Sequence, residues 1–194
     1  MLTDFYGNHL TTSTGLARDS YDIGLLAFLS ANYGAQEAFS QAIEADPNFT
    51  LGYLGLARAF MSSGQISDAK AALGKAKNLL QGVTDREKSH FLCCELLLLG
   101  EAKKARTAVD SHVSEWPRDA MVAQMNTSVF GLIGFSGEMG RETDLLDFTA
   151  KLLPHYGEDW WMMSMHAISL CETGQTVKSM QLMEKALNSN PRNA

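Results

Sequence analysis

Residues 50–76 read TLGYLGLARAFMSSGQISDAKAALGKA, and this stretch decides the fold. Apolar residues recur every three or four positions on each side of Gly64, which is the spacing of one face of an α-helix. Small residues recur at fixed offsets among large ones, so two helices can approach closely while the large side chains fill the space between them. These positions are Tyr53, Leu56, Ala57 and Phe60 before Gly64, and Ala69, Leu73 and Ala76 after it. The stretch therefore predicts two packed helices joined by a turn at Gly64.

The same pattern recurs along the chain. All four prolines fall at one point of the repeat, at Pro47, Pro117, Pro154 and Pro191, separated by 70, 37 and 37 residues. Turn residues recur in step at Ser30, Gly64, Gly100, Gly137 and Gly174. Helix pairs of this length with these offsets are typical of tetratricopeptide repeats. We therefore predict an all-α, right-handed superhelical solenoid over residues 16–194, with repeats at 16–47, 50–81, 86–117, 123–154 and 160–191 and an N-terminal extension at 1–15.

Helix ends are predicted from caps and prolines. Thr84 and Glu87 have the spacing of a capping box, which satisfies exposed backbone N–H groups at a helix start. Each proline is expected to end the helix before it, including the helix before Pro154. In the one repeat that lacks a proline, Gly82 is expected to provide a left-handed stop.

Composition excludes several classes of function. The net charge of −6 argues against a nucleic-acid partner, which requires clustered positive charge. The sequence has no apolar run long enough to span a bilayer and no basic segment before an apolar stretch at its start, so we expect a cytoplasmic protein that does not enter membranes. Cys93, Cys94 and Cys171 lack metal-ligand spacing and are expected to be reduced, buried thiols.

No pattern of catalytic or metal-binding residues emerges. The glycine-rich segment Phe130–Gly137 lacks the lysine of a phosphate loop, and Glu138 occupies the last position of a nucleophile elbow. We expect Gly131 and Gly134 to lie on one face of a helix and to permit close packing. The five histidines are dispersed; His112 and His166 are expected in the core. His90 and Cys94 lie one helical turn apart, which leaves a Cys/His nucleophilic pair as a formal alternative. We predict no metal, no cofactor and no enzymatic activity.

The inner groove is expected to bind a protein or peptide. The first helices of the repeats present many apolar residues there, which implies that something covers them. Arg58 and His90 are expected to fix a partner's polar groups. Trp161 is expected either to act as an anchor in the groove or to pack against the preceding repeat. The predicted partner-binding residues are Leu54, Arg58, Met61, His90, Leu97, Gln124, Phe135, Trp161 and Glu172.

The chain resembles the tetratricopeptide-repeat-38-like family in a series of segments that runs through most of its length. They are Ala45–Phe49, Thr84–His90, Trp116–Asp119, Phe130–Gly137, Asp159–Trp161 and Asn190–Ala194. Members of this family are longer, and the resemblance implies an architecture rather than a reaction. It also implies further repeats beyond the fifth.

Three functions remain open at this point. The first is a non-catalytic scaffold that holds an apolar helix or peptide segment. The second is a fragment of a larger repeat protein whose enzymatic or small-molecule site is completed by absent C-terminal repeats. The third is self-assembly, in which the uncovered fifth helix pair stacks on a second copy.

Overall fold

The computed structural model describes residues 2–193 and is all-helical, as predicted. The described residues divide between Val122 and Ala123 into two compact units. They contain ten α-helices and one isolated β-bridge, between Thr3 and His9. The helices are α1 (Gly15–Leu29), α2 (Ala35–Ala45), α3 (Thr50–Ser62), α4 (Ile66–Leu79), α5 (Asp85–Leu98), α6 (Ala102–Glu115), α7 (Ala120–Ala123), α8 (Arg141–Tyr156), α9 (Trp160–Glu172) and α10 (Thr176–Ser189).

Unit 1 consists of three helix pairs, α1 with α2, α3 with α4, and α5 with α6. The first helices of these pairs are neighbours, since α3 packs against both α1 and α5. Gly64 and Gly100 make the turns within the second and third pairs and have φ of 75° and 73°, a conformation that favours glycine. In the first pair the turn was predicted at Ser30. The residues with positive φ in this turn are instead Ala31 and Gly34, with φ of 52° and 99°.

Close packing around Phe39 explains two glycines of unit 1. Phe39 is fully buried, and its ring lies against Tyr21, with 5.6 Å between ring centroids. A Cβ atom at Gly24 would lie 2.8 Å from this ring, and one at Gly55 would lie 2.4 Å from it. Both positions therefore admit only glycine without movement of the ring, and this lets α1 and α3 approach α2.

The capping box predicted at Thr84 is confirmed. The prediction that a left-handed Gly82 ends α4 is wrong. The Thr84 side chain accepts from the Glu87 N–H, while the Glu87 carboxylate accepts from the Thr84 N–H at 3.1 Å. After α4 the chain makes a 3-10 turn, Leu80–Gly82, and Gly82 does not have a positive φ. The tighter helical turn ends α4 in place of a left-handed glycine.

Unit 2 contains α8, α9 and α10, with α9 packed against both of the others. The prediction of a helix at the start of the fourth repeat is wrong. Residues 124–140 instead form a series of turns after the four-residue α7. Gly131 and Gly134 do not share a helix face. A Cβ atom would lie 2.1 Å from the Thr127 carbonyl oxygen at Gly131 and 2.5 Å from that of Ser128 at Gly134. These glycines thus permit a tightly folded loop.

Pro154 does not end the helix before it, contrary to prediction. It lies inside α8, which continues to Tyr156 and ends at Gly157, where φ is 63°. Proline is tolerated here because only the last turn of the helix follows it, so the distortion affects few hydrogen bonds. The helices before Pro47, Pro117 and Pro191 end at Ala45, Glu115 and Ser189, as expected.

Within residues 2–193, no helix has the length and apolar character needed to cross a membrane. Ala194, the last residue of the segment Asn190–Ala194 that carries part of the family resemblance, lies outside the described residues. The division of the chain into five repeats stays a prediction.

Candidate functional site

A buried carboxylate, Asp119, organises one end of unit 1. It lies directly after α6, in the turn that follows Pro117, and accepts at 2.6 Å from the Arg86 guanidinium at the start of α5. The same oxygen lies 3.2 Å from Nδ1 of His90 and 3.2 Å from Nε2 of His112. All four side chains are buried. One carboxylate oxygen in the loop after α6 therefore contacts side chains of both α5 and α6.

The electrostatics of this cluster keep Asp119 ionised. Burial raises the pKa of a carboxyl, but the nearby His90 and Arg86 more than offset it, so the pKa of Asp119 lies well below its usual range. Burial lowers the pKa of His90, even though Asp119 acts in the opposite direction. At neutral pH the pair is thus a carboxylate beside a neutral imidazole, with Arg86 as the compensating cation.

Residues 2–10 form a small hairpin, here called the N-terminal hairpin, which packs onto this end of unit 1. The backbone N–H groups of Asp4 and Leu10 donate to the carbonyl groups of Asn8 and Leu2. Inside the turn, the Asp4 carboxylate accepts from the N–H groups of Tyr6 and Asn8 at 3.0 and 2.8 Å. The hairpin is therefore organised largely by its own hydrogen bonds around one aspartate.

Four side chains of unit 1, here called the hairpin-binding surface, bind the backbone of this N-terminal segment. Arg86 donates to the His9 carbonyl at 2.9 Å, and Arg118 donates to the Tyr6 carbonyl at 2.7 Å. Asp22 on α1 accepts from the Phe5 N–H at 2.8 Å, and Glu87 accepts from the Thr11 N–H at 3.2 Å.

Side chains of the segment add to these backbone contacts. Tyr6, Leu10 and Thr12 are buried, and the Thr12 hydroxyl donates to Asp46 at 2.5 Å. The Thr11 hydroxyl donates to Glu87 at 2.9 Å. Side chains of α1, of α5 and of the loops after α2 and α6 thus hold this segment through both its main chain and its side chains.

The predicted groove residues of unit 1 fall into two groups. Leu54, Arg58 and His90 are buried, so they do not present an open surface. The Arg58 guanidinium, on α3, lies 5.5 Å from the centre of the Phe28 ring, on α1.

Met61 and Leu97 are partly exposed, near the C-terminal ends of α3 and α5. Phe28 and Leu98 are also partly exposed, near the C-terminal ends of α1 and α5. We call these four residues the apolar strip: Phe28, Met61, Leu97 and Leu98.

The predicted partner-binding residues of unit 2 are not alike in exposure. Trp161, expected to be an anchor in the groove, is buried, and its ring centroid lies 5.7 Å from that of Tyr156. Gln124 is partly exposed in the turn segment, whereas Phe135 and Glu172 are exposed. Trp161 therefore serves the core of its unit, and packing against Tyr156 explains its burial. The prediction that these residues bind a partner stays a prediction.

The outer side of α10 is also apolar in part. Val177, Met180 and Leu187 are exposed on this helix. The predicted self-association through the fifth helix pair would use such residues, and it stays a prediction.

The formal Cys94/His90 pair lacks the chemistry of a nucleophile. Burial raises the pKa of the Cys94 thiol to about 12, so it is protonated at neutral pH, and the thiol of Cys93 also has a raised pKa. Both cysteines are free and buried as expected, but Cys171 is exposed, which corrects that part of the prediction. His112 lies in the core as predicted, whereas His166 is only half-buried.

The geometry of a metal site is not found among residues 2–193, where no set of three or more histidine, cysteine, aspartate and glutamate side chains could hold an ion. The cluster at Asp119 is held together by Arg86, a cation, which disfavours a metal at the same carboxylate.

Sequence reasoning missed the hairpin-binding surface and the role of Asp119. Residues 2–14 show no helical periodicity, and their burial instead alternates, with positions 4, 6, 10 and 12 buried between more exposed neighbours. The residues concerned carry no alternation of hydropathy, because Asp4 and Thr12 are polar. The one available signal was that Asp119 ends the segment Trp116–Asp119, which was already singled out for its resemblance to a family.

Residues 34–86 match a family model described as Tetratricopeptide repeat. This range runs from the start of α2 to the start of α5 and supports the repeat pattern inferred around Gly64. No curated protein sequence matches the chain. The narrower resemblance to the tetratricopeptide-repeat-38-like family stays a prediction.

Solved structures with similar folds share little sequence with the chain. One, described as YrrB, a TPR protein with an unusual peptide-binding site, has a TM-score of 0.45 and 17% identity, and the match covers 90% of this chain and 87% of that one. A structure of MamA has a TM-score of 0.43 and 20% identity, with 88% and 96% covered. A second structure of MamA gives 0.42 and 19%, with 91% and 93% covered.

Proposed function

We propose that the chain is a non-catalytic protein-interaction scaffold and that unit 1 binds a polypeptide segment along α1, α3 and α5. The match to a tetratricopeptide-repeat model supports a scaffold in general terms. The observation that carries the finer proposal is that these neighbouring helices present partly exposed apolar side chains near their C-terminal ends, at Phe28, Met61, Leu97 and Leu98.

The surface left for a partner is the apolar strip. Its members lie on three neighbouring helices, where an apolar face of a peptide can be buried against Met61 and Leu97. Leu54, which sequence reasoning placed in the same surface, is fully buried and is better regarded as core. Substitution of Leu54 by a charged residue would therefore lower the stability of unit 1 and would not report on peptide binding.

The test is a display library of random peptides selected against the folded chain. We expect enriched peptides with apolar residues at helical spacing, whose binding is lost in the double variant Met61→Asp/Leu97→Asp. The matched control is the double variant Leu92→Asp/Leu99→Asp, which introduces the same charges. Leu92 lies on α5 and Leu99 directly follows it, and their exposed fractions are 46% and 66%. Both variants should retain the helix content of the parent chain. Failure to enrich any peptide, or equal loss of binding in both variants, would contradict the proposal.

A further inference from the structure

We propose that the N-terminal hairpin is a pH-sensitive strap, which unit 1 holds more tightly in mild acid than at neutral pH, and that a proton taken up by the Asp22 carboxyl tightens it. The strap lies at one end of unit 1 and uses none of the residues of the apolar strip. Its behaviour is therefore independent of the scaffold function proposed for unit 1.

Asp22 joins α1 to the hairpin. Its Oδ1 atom accepts from the Phe5 N–H at 2.8 Å, and its side chain is half-buried. A protonated carboxyl still has an oxygen that accepts hydrogen bonds, while the proton is carried by the other oxygen. The contact to Phe5 is therefore compatible with both protonation states, and uptake of a proton at Oδ2 does not require the hairpin to leave.

The charged groups that face Asp22 leave its negative charge poorly compensated. From the hairpin it faces the Asp4 carboxylate, and from α1 it faces Arg18 and Asp19. The Arg18 guanidinium is hydrogen-bonded to the Asp19 carboxylate. Burial raises the pKa of Asp22 to about 6, and the charge of Asp4 acts in the same direction. Together they outweigh the Phe5 N–H and Arg18, which act against them, so the docked hairpin favours a neutral Asp22.

Asp4 is a second carboxyl of the hairpin with a poorly compensated charge. It is buried, and its Oδ2 atom lies 4.0 Å from Nη1 of Arg86, beyond hydrogen-bonding distance. That Nη1 atom instead donates to Asp119 at 2.6 Å. The Tyr21 hydroxyl of α1 interacts with the same charges, but burial raises its pKa and it stays uncharged. Burial raises the pKa of Asp4 as well, with Asp119 acting in the same direction and Arg86 against it.

The direction of the pH dependence follows from proton linkage. When the hairpin leaves, Asp22 and Asp4 return to solvent, where an aspartate has a pKa of about 3.9. The docked hairpin therefore binds more protons than the released one between about pH 4 and 6, and docking weakens as the pH rises through this range. From Asp22 alone, the equilibrium constant for docking should be about tenfold larger at pH 5 than at pH 7.5.

The test is amide hydrogen exchange in the full chain, measured by nuclear magnetic resonance at pH 5 and pH 7.5. The Phe5 amide reports on docking, because it donates to Asp22. Its protection factor is the exchange rate in a free peptide of residues 1–14 divided by the rate in the chain at the same pH, so the direct effect of pH on exchange cancels. We expect this protection factor to be about tenfold larger at pH 5 than at pH 7.5.

An amide of the helical core distinguishes a strap from general stabilisation. Ala57 lies in the middle of α3 and is buried, so exchange of its amide reports on unfolding of unit 1 as a whole. Because His90 takes up a proton more readily in the unfolded chain, unit 1 as a whole should lose stability in mild acid. The protection factor of Ala57 should therefore not rise between pH 7.5 and pH 5.

Two matched variants test the part played by Asp22. Asp22→Asn retains an oxygen that accepts from the Phe5 N–H and removes the titrating group, so the protection factor of Phe5 should differ by less than about threefold between the two pH values. Asp68→Asn makes the same change at an exposed position of α4, and the difference of about tenfold should persist in it.

Three results would overturn the proposal. The protection factor of Phe5 could be equal at both pH values or fall on acidification, or its full rise could persist in Asp22→Asn. Parallel changes at Phe5 and Ala57 would mean that the hairpin is a fixed part of unit 1 and not a strap. None of these results bears on peptide binding at the apolar strip, which the Met61→Asp/Leu97→Asp variant tests independently.

Discussion

The Oδ2 atom of Asp119 lies 2.6 Å from Nη1 of Arg86, and both side chains are buried. The two residues are 33 positions apart, and their pairing joins the loop after α6 to the first turn of α5. Nη2 of the same guanidinium donates to the His9 carbonyl. A single buried ion pair thus connects the third helix pair of unit 1 to the N-terminal hairpin.

Removal of this carboxylate should destabilise the chain strongly. Asp119→Ala leaves the Arg86 cation buried without its partner, which costs about 3–5 kcal/mol in comparable cases. The free energy of unfolding, measured by urea titration, should fall by that amount. Glu44→Ala is the control, because Glu44 is exposed on α2 and its loss should change the free energy by less than about 0.5 kcal/mol. Equal effects of the two substitutions would refute the role given to Asp119.

The contact between Gly55 and Phe39 makes a second prediction about stability. Gly55→Ala places a Cβ atom 2.4 Å from the buried Phe39 ring, so the ring or the helix must shift, at a cost of about 1–3 kcal/mol. Gly74→Ala adds the same atom in open space within α4 and should stabilise the chain by about 0.5–1 kcal/mol. Thermal unfolding of the two variants should move the melting temperature in opposite directions. If both substitutions stabilise, the close packing described here is absent.

His90 should make the chain less stable in mild acid. Its pKa in the folded state is lowered, chiefly by burial, while the unfolded chain takes up a proton below about pH 6.5. The unfolded state therefore binds more protons as pH falls below 6.5, and the free energy of unfolding decreases with it. His90→Gln should flatten this dependence between pH 7 and 5, as measured by urea titration at each pH. A slope unchanged by the substitution would assign the effect to other groups.

Asp22 should act in the opposite direction over part of the same range. Burial raises its pKa to about 6, so the folded state holds a proton that the unfolded chain releases above about pH 4. Its contribution to stability is therefore present at low pH and is lost as pH rises towards 6 and beyond. Asp22→Asn keeps an oxygen to accept from the Phe5 N–H and removes the titration. The variant should lose stability more steeply on acidification from pH 6 to 4 than the parent, and an identical profile would contradict this account.

The sequence predicted those parts of the fold that depend on local patterns. The recurrence of Gly64 and Gly100 and the capping box at Thr84 mark helix turns and starts, and the structure agrees with them. Local patterns failed where tertiary contacts decide the outcome. Residues 124–140 carry apolar and small residues at repeat positions but fold as turns, where Gly131 and Gly134 permit close backbone approach.

The candidate site was harder to predict because its groups are distant in sequence. Asp119, Arg86 and Asp22 are ordinary charged residues in the sequence, and only the fold brings them against residues 2–12. Leu54 and Trp161 were expected at a surface because of their repeat positions, yet both are buried. A position in a repeat predicts which way a side chain points, but it does not predict what covers that side chain.

The most direct test of this account is hydrogen exchange of the Phe5 and Thr11 amides, measured by nuclear magnetic resonance on the intact chain. These N–H groups donate to the carboxylates of Asp22 and Glu87. We expect both amides to exchange at least tenfold more slowly than the same residues in a free peptide of residues 1–14, and Asp22→Ala to remove the protection of Phe5. Exchange of both amides at the free-peptide rate would mean that unit 1 does not hold its N-terminal segment, and the central claim would be wrong.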